Sequence, residues 1–263
     1  MDYSAYRHMT FERRDRILTI TLNRPPMNPI HYELHEELSR VWHQVQVDYE
    51  TDVIILTGAG ETFSAGGDIP MMQKRIDDPE LFNRKNLEMK QMIFGLLDLE
   101  KPIIARINGD CIGLGATLAL MCDIMIAVDT ARFCDPHVRM GYVAGDGGAV
   151  IWPQLIGYAK AKEYLLTGDM LDAVEAERIG LINHAVPRDQ LDEKVSTLAE
   201  KLARGSNKAI KWTKTSMNIP LRQLALSMMD ASLAYEALTN IGPDHQEAVT
   251  AFQEKRKPDF TGR

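Results

Sequence analysis

Apolar and polar residues follow two different periods along the first two-thirds of the chain. Residues 16–22 alternate apolar and polar side chains over most of their length, which is typical of a half-buried strand. Three short, continuous apolar runs, a pattern typical of strands buried on both faces, lie at residues 53–57, 102–107 and 124–128. Residues 31–48 and 78–99 carry apolar positions at helical spacing. These patterns predict an α/β fold in which strands and helices alternate.

The strand pattern disappears after about residue 189. Four segments with helical spacing follow, at residues 189–203, 206–217, 221–238 and 244–254. Pro220 separates the second segment from the third, and Gly242-Pro243 precedes the fourth. The sequence therefore predicts an α/β core over residues 1–188 and a C-terminal helical region over residues 189–263.

Composition narrows the range of partners. The chain has 30 Lys and Arg against 37 Asp and Glu, a net charge of −7, so we expect no binding to nucleic acid. The first 14 residues lack the apolar region of a secretory signal, and the most apolar stretch, residues 112–128, is too short and too interrupted to span a membrane. We expect a cytoplasmic protein with no membrane contact. The three cysteines show no CxxC or CxxxC spacing, so neither a disulfide framework nor a metal site is expected.

Two glycine-rich turns each follow a predicted buried strand. The first contains Gly66 and Gly67 after strand 53–57, and two adjacent glycines let backbone N–H groups face a ligand. The second, residues 108–115, follows strand 102–107 and opens a helical run. If the two turns converge, two backbone N–H groups could hold one carbonyl oxygen and stabilise an enolate or a tetrahedral oxyanion.

The second turn also begins like a dinucleotide-binding fingerprint, because Gly113 and Gly115 have its spacing. The third glycine of that fingerprint is replaced by Leu118, which is too large for close contact between helix and strand. Asp129, the acid after the next strand, comes too early for a ribose contact. We therefore reject a dinucleotide site and interpret the turn as a helix N-terminus whose free N–H groups favour negative charge.

The chain resembles the crotonase (enoyl-CoA hydratase/isomerase) superfamily over nearly its whole length and in the right order. The matching segments are Asn23 to Pro25 with Asn28, Phe63 to Ile69, Lys101 to Ala105 with Asn108-Gly109, Leu120 to Asp123, Phe133 with Pro136, Gly145 to Gly148, Leu165 to Gly168, Ala176 to Gly180 with Asn183, and Phe252 with Lys255 to Pro258 and Phe260. The resemblance implies a crotonase-type superhelix of ββα units followed by a C-terminal helical trimerisation region, assembled as a homotrimer or a dimer of trimers. It also implies an acyl-CoA substrate, with coenzyme A as part of that substrate and no tightly bound cofactor.

The resemblance also implies roles for individual residues. The family's oxyanion hole would be formed by the amide N–H groups of Gly67 and Leu114. The residues beside coenzyme A would be Ala65, Asp68, Ile69, Phe252 and Lys255.

The chain departs from the family's hydratases at the residues that move protons. Those hydratases carry two glutamates, and the matching positions here are Thr117 and His137. A threonine hydroxyl cannot share proton transfer near neutral pH, whereas an imidazole can. Asp146, in a Gly-Asp-Gly turn, would fix the tautomer of His137 and raise its basicity. We predict that His137 and Asp146 are catalytic, with the alternative that Asp146 only caps the following helix.

Three functions remain open from the sequence. The first is an enoyl-CoA hydratase/isomerase-family enzyme that acts on an acyl-CoA thioester through an enolate. The pattern of His137, Asp146 and Trp152-Pro153 is also similar to the β-diketone hydrolases typified by 6-oxocamphor hydrolase, which cleave a C–C bond by attack of water on a ketone. That branch carries another histidine at a position near Leu114, which this chain lacks. The second function is therefore a C–C or thioester hydrolase of β-dicarbonyl substrates, and the third a non-catalytic CoA- or RNA-binding protein.

Overall fold

The computed structural model describes residues 1–262 and has the α/β fold that the sequence predicts. Its strands are β1 (Met9–Arg14), β2 (Ile17–Leu22), β3 (Val53–Gly58), β4 (Ile103–Ile107), β5 (Cys111–Ile112), β6 (Ile124–Val128), β7 (Arg132–Cys134), β8 (Leu171–Asp172) and β9 (His184–Val186). Its helices are α1 (Tyr32–Gln46), α2 (Ile69–Asp77), α3 (Pro79–Asp98), α4 (Leu114–Leu120), α5 (Gly148–Thr167), α6 (Ala173–Arg178), α7 (Arg188–Ala203), α8 (Asn207–Asn240) and α9 (Pro243–Gln253).

The main sheet has the strand order β1-β2-β3-β4-β6-β9. Strands β1 and β2 are antiparallel, and the remaining neighbours are parallel, with Ile54 of β3 opposite Ile103 of β4. Every residue of β3 is buried, as its continuous apolar run requires. Because β3 and β4 are parallel neighbours, their carboxyl ends lie at the same edge of the sheet. Both glycine-rich turns therefore leave the sheet at that edge. A smaller sheet, in the order β5-β7-β8, lies beyond it.

Helix α1 packs against α3 through a continuous apolar stripe. Its buried side chains include Leu34, Leu38, Val41, Trp42 and Val45, which recur at helical spacing. The facing position on α3 is Gly95, where a Cβ would lie 3.0 Å from the indole ring of Trp42.

Helix α8 is a single helix of 34 residues, so the prediction of two helices separated at Pro220 is wrong. A proline inside a helix costs about 3 kcal/mol. Packing of α8 against α3 and α5 offsets this cost, and Asn218, just before the proline, donates from Nδ2 to the carbonyl oxygen of Leu97 at 3.0 Å. Helix α7 instead packs against strands of the main sheet. The boundary at residue 188 and the role of the C-terminal helices in trimerisation stay predictions.

An ion pair between the buried Lys214 and the partly exposed Asp123 joins α8 to the sheet. Nζ of Lys214 lies 2.8 Å from Oδ2 of Asp123 and donates to the carbonyl oxygen of Lys101 at 2.8 Å. The same Oδ2 accepts the N–H of Ile103 at 2.7 Å. Burial raises the pKa of Asp123 more than Lys214 and this N–H lower it.

Over residues 1–262 there is no helix whose length and apolar character together suit a bilayer-spanning segment.

Candidate active site

The two glycine-rich turns lie against each other. A Cβ on Gly66 would lie 2.6 Å from the carbonyl oxygen of Ile112 and 3.4 Å from Cα of Gly113. Both glycines have positive φ, +79° and +54°, a conformation that costs other residues free energy. The N–H of Ile112 donates to the carbonyl oxygen of Ser64 at 2.9 Å, which joins the turns directly. The convergence that the sequence analysis required is therefore present.

Each turn offers a backbone donor next to this contact. Across the described part of the chain, neither Gly67 nor Leu114 has an acceptor for its N–H. Leu114 is the first residue of α4, where N–H groups have no partner within the helix. The two turns touch at Gly66 and Gly113, and Gly67 and Leu114 are the residues that directly follow these glycines. Two free donors on touching turns can bind one anionic oxygen.

The loop that carries His137 packs on the second turn. The N–H of Gly113 donates to the carbonyl oxygen of Cys134 at 2.8 Å, and a Cβ on Gly113 would lie 3.7 Å from Cδ of Pro136. His137 follows Pro136 and begins a short 3-10 helix that ends at Met140. Its imidazole is buried. The predicted histidine therefore lies beside the predicted oxyanion hole.

Two buried carboxylates flank the imidazole of His137. Oδ1 of Asp135 forms a short hydrogen bond with Nδ1, and Oδ2 of Asp146 lies 3.4 Å from Nε2. The sequence analysis assigned the orienting contact to Asp146, whereas the structure has Asp135 at Nδ1. Asp135 stands only two residues before His137, so the segment Asp-Pro-His was the signal that could have identified it. Asp146 faces the other ring nitrogen.

The charges in this cluster follow from the flanking carboxylates. Burial alone would lower the pKa of His137, but Asp135 and Asp146 outweigh burial and raise it well above 6.5. The imidazole is therefore an imidazolium at neutral pH. Burial likewise works to raise the pKa of Asp146, yet the positive His137 and the hydrogen bonds to Asp146 lower it, so the carboxyl is ionised.

Thr117, at the position of the hydratases' first glutamate, holds Asp146. Its Oγ1 donates to Oδ1 of Asp146 at 3.1 Å, and the N–H of Gly148 reaches the same oxygen at 3.3 Å. Gly148 is the first residue of α5, so Asp146 does accept one N–H from the start of that helix, as the capping alternative expects. Its contacts with Thr117 and His137 go beyond a cap. Glycine is needed at position 148, because a Cβ there would lie 2.1 Å from Oδ2 of Asp135.

Two further titratable groups near His137 escaped the sequence analysis. Glu236 of α8 is buried, and burial raises its pKa to about 8, so it is protonated at neutral pH. A Cβ on Gly145 would lie 2.6 Å from its Oε2. The ring centroid of Tyr142 lies 4.8 Å from that of His137, and burial raises the pKa of Tyr142 to about 12. A lone glutamate in a long helix is usually exposed, so no local pattern marked Glu236.

The residues predicted to contact coenzyme A lie in two places. Ala65 donates its N–H to the carbonyl oxygen of Met27 at 2.8 Å, and Ile69 is the first residue of α2. Asp68 caps α2 through the N–H of Met71 at 3.2 Å and pairs with Arg24 at 2.5 Å.

The other two predicted contacts, Phe252 and Lys255, are exposed at the end of α9. Within residues 1–262 neither has a hydrogen bond or ion pair to residues 65–69. The assignment of both groups to coenzyme A stays a prediction.

Asp135, His137 and Asp146 also have the composition of a metal site, since their ligand-type atoms lie within 4.8 Å of one another. Both ring nitrogens of His137 face these carboxylates. The mutual ion pairs account for the cluster, and we assign no metal to it.

Comparison with known proteins agrees with this geometry. The model of the enoyl-CoA hydratase/isomerase family matches residues 12–263. A probable enoyl-CoA hydratase of Mycobacterium tuberculosis is 33% identical over 263 residues, covering 98% of this chain and 100% of the relative. The crystal structure of an enoyl-CoA hydratase/isomerase from Mycobacterium paratuberculosis has a TM-score of 0.89 at 32% identity and covers 92% of this chain and 97% of that one.

A second solved structure represents the other branch considered above. The β-diketone hydrolase ABDH of the cyanobacterium Anabaena, bound to (S)-3-oxocyclohexyl acetic acid, has a TM-score of 0.85 at 26% identity. The match covers 91% of this chain and 96% of that chain. With the family model matched over almost the entire sequence and a hydratase relative aligned end to end, the chain belongs to the enoyl-CoA hydratase/isomerase family and has the crotonase fold that its motifs resemble.

Proposed function

We propose that the protein is an enoyl-CoA hydratase-type enzyme that acts on an acyl-CoA thioester and uses a His–Asp pair in place of two glutamates. The thioester oxygen binds between the N–H groups of Gly67 and Leu114. As negative charge develops on that oxygen, the two donors stabilise it more than they stabilise the neutral substrate, which is how an oxyanion hole lowers a barrier. The adenine nucleotide part lies against Ala65, Asp68 and Ile69, with Phe252 and Lys255 approaching from α9.

The protonation states of the cluster divide the acid–base roles. His137 is an imidazolium and acts as the acid, because Asp135 and Asp146 hold a proton on it at neutral pH. Asp146 is ionised and acts as the base, with Thr117 keeping its carboxylate in place. The two residues thus take the two proton-transfer roles that need opposite protonation states.

Hydration then proceeds with balanced protons. Water forms a bond to the β-carbon of the enoyl group and gives one proton to Asp146, while the electron pair of the C=C bond moves to the thioester oxygen as an enolate. The enolate collapses, and the α-carbon takes a proton from His137. The separation of 3.4 Å between Nε2 of His137 and Oδ2 of Asp146 allows the proton to return and restores the starting state.

The observation that carries this proposal is the buried imidazole of His137 between two carboxylates, packed on the turns that present the two free N–H groups. Such an arrangement is expensive for folding, because three ionisable groups lose their hydration. A purely structural loop does not require it, whereas proton transfer beside an oxyanion hole does.

A second function, hydrolysis of a C–C bond in a β-diketone, is favoured by the similarity to ABDH and by the absence of both hydratase glutamates. There Asp146 takes a proton from water that attacks a ketone carbon, the C–C bond breaks, and the departing enolate oxygen binds Gly67 and Leu114. His137 then protonates the enolate carbon. The same groups serve both reactions, so the substrate separates them.

The test offers crotonyl-CoA and, separately, a cyclic β-diketone to the wild type and to His137→Gln and Asp146→Asn. Hydration of crotonyl-CoA that falls at least about 100-fold in both variants supports the first function. Cleavage of the diketone without coenzyme A, lost in the same variants, supports the second. Turnover that survives both substitutions would refute the acid–base assignment, and no turnover of either substrate would refute both functions.

We also propose that the chain assembles as a homotrimer or a dimer of trimers. Two apolar side chains one turn apart on α8, Tyr235 and Leu238, are more than half exposed in the single chain, and exposed apolar patches mark contact surfaces. Sedimentation equilibrium tests this directly, and a monomer at micromolar concentration would refute it.

A further inference from the structure

A buried histidine of α9, His245, contacts the segment of chain that carries His137. We call residues 137–143 the His137 segment. No part of His245 is exposed, and its Nδ1 lies 2.6 Å from the carbonyl oxygen of Met140, the last residue of the 3-10 helix that His137 begins. A carbonyl oxygen can only accept a hydrogen bond, so Nδ1 carries a proton and donates it. His245 therefore holds the end of the short helix that starts at His137.

The imidazole of His245 acts through its position and not through charge. Burial lowers the pKa of His245 more than the carbonyl group of Met140 raises it. The ring is therefore neutral at pH 7, with its proton on Nδ1. Within residues 1–262 its buried Nε2 has no hydrogen-bond partner. The bond to Met140 is thus the directed polar contact of this ring.

The ring of Tyr142 contacts both histidines. Its centroid lies 4.4 Å from that of His245 and 4.8 Å from that of His137. These are distances at which packed aromatic rings attract each other in defined orientations. The N–H of Tyr142 also donates to the carbonyl oxygen of His137 at 3.1 Å. A shift of the His245 ring would therefore reach His137 through Tyr142.

The backbone of the His137 segment also lies directly against the C-terminal helices. A Cβ on Gly141 would lie 2.6 Å from the carbonyl oxygen of Asp244 and 2.7 Å from the backbone N of His245. The N–H of Val143 donates to Oγ1 of Thr239, at the end of α8, at 3.2 Å. Consecutive residues of the segment thus contact α8 and α9, which leaves the segment little freedom to move.

The other side of the segment is joined to the candidate oxyanion hole. Three residues before His137, the carbonyl oxygen of Cys134 accepts the N–H of Gly113 at 2.8 Å, and Gly113 directly precedes Leu114. The position of the His137 ring relative to the N–H of Leu114 is therefore set from two sides, by the second glycine-rich turn and by α9. Proton transfer depends steeply on such a position, because a displacement of about 1 Å can cost about 100-fold in rate.

We propose that His245 is a positioning residue, which holds the His137 segment from the C-terminal helix and so places the imidazole of His137 for proton transfer beside the oxyanion hole. His245 itself neither binds the substrate nor transfers a proton. The inference rests on the proposed function, since it takes His137 as the acid. It gives α9 a part in the chemistry of its own chain, in addition to the predicted contacts of Phe252 and Lys255 with coenzyme A.

The first test observes His137 in the ligand-free protein and needs no substrate. The ring nitrogens of His137 are followed by 15N NMR of histidine-labelled protein and assigned by comparison with His137→Gln. His245→Phe keeps a ring and removes the donor to Met140, so the signals of His137 should shift or broaden. His245→Asn keeps a donor, because its amide nitrogen occupies the place of Nδ1. Its signals should lie closer to those of the wild type than the signals of His245→Phe do.

The second test measures turnover of crotonyl-CoA or of the cyclic β-diketone, whichever the wild type converts. In His245→Phe kcat should fall at least about 10-fold, because the acid is displaced. KM should change less than about twofold, because the N–H groups that bind the substrate oxygen are untouched. His245→Asn should recover part of kcat. Gln246→Ala is the matched control, because this neighbouring residue of α9 bonds to Gln73 of α2 instead, at 3.0–3.1 Å. It should leave kcat and the His137 signals unchanged.

The two readouts separate a positioning role from a general loss of structure. Unchanged His137 signals in His245→Phe would overturn the proposal, whatever happens to turnover. A His245→Asn variant no closer to the wild type than His245→Phe would overturn it as well. If His245→Phe does not fold, Tyr142→Leu replaces it, since that change removes both ring contacts and keeps the bond to Met140; unchanged His137 signals there would again overturn the proposal. Shifted signals in a protein that converts neither substrate would support the positioning role and refute the proposed function.

Discussion

Replacement of Thr117 by valine tests how the buried carboxylate of Asp146 is held. The substitution removes one hydroxyl and keeps the branched shape of the side chain. Oγ1 of Thr117 donates to Oδ1 of Asp146 at 3.1 Å, and the other donor to that oxygen, the N–H of Gly148, is 3.3 Å away. A hydrogen bond to a charged group contributes about 1.5–3 kcal/mol. We expect Thr117→Val to lower the free energy of unfolding by about 1.5–3 kcal/mol at pH 7.

The pH dependence of this loss identifies its cause. The pKa of Asp146 is lowered in the folded protein, so its contribution to stability is present above the unfolded pKa of 3.8 and is lost as pH falls through the folded value. Thr117 is one of the groups that lower this pKa. The difference between wild type and Thr117→Val should therefore be largest at neutral pH and shrink on acidification.

The assay is urea unfolding followed by the fluorescence of the three tryptophans, at one protein concentration and a series of pH values. Thr117→Ser is the control, because it keeps the hydroxyl and loses only a methyl group, a loss of about 1 kcal/mol that does not depend on pH. The role of the Thr117 hydroxyl would be refuted if Thr117→Val lowered the free energy of unfolding equally at every pH. It would also be refuted if Thr117→Val lowered that free energy no more than Thr117→Ser.

Three further substitutions test neighbouring interactions. Asp135→Asn removes the carboxylate at Nδ1 of His137 and should lower the pKa of His137, as measured by NMR of 13C-labelled histidine. In the wild type the raised pKa stabilises the fold below pH 6.5, and this contribution is lost as pH rises through the folded value. The variant should therefore lose most stability at acidic pH. A ring that titrates as in the wild type would contradict the assignment. Gly148→Ala places a Cβ 2.1 Å from Oδ2 of Asp135, so Asp135 must move away from His137. The same NMR titration should then show a lower pKa of His137. An unchanged titration would show that the packing around Gly148 is less tight. Lys214→Met leaves the partly buried Asp123 without its counter-charge and should cost about 1–3 kcal/mol at pH 7 in urea unfolding. That loss should decrease at acidic pH, where Asp123 takes up a proton, and a loss independent of pH would point to packing instead.

Most of the core was predictable from the sequence because its signals are local. The continuous apolar run of β3 and the helical spacing of apolar residues in α1 indicate burial directly. The spacing of residues along a strand or helix determines which of them lie on the same face of that element. The two glycine-rich turns were predictable for the same reason. Their glycines occupy positive φ at Gly66 and Gly113, where other residues are strained.

Other features depend on contacts between segments far apart in the chain, and only the tertiary structure decided them. Pro220 marks a break by local rules, yet α8 continues through it, because α3 holds the helix on both sides of the proline. Asn218 bonds to Leu97 before it, and Arg222 pairs with Asp98 after it. Asp135 rather than Asp146 holds Nδ1 of His137, a choice that depends on the direction of a buried ring. The position of Glu236 depends on how α8 packs against the turn that carries Asp146. A residue's type and spacing determine which element it joins, whereas its partners and protonation state depend on what burial brings next to it.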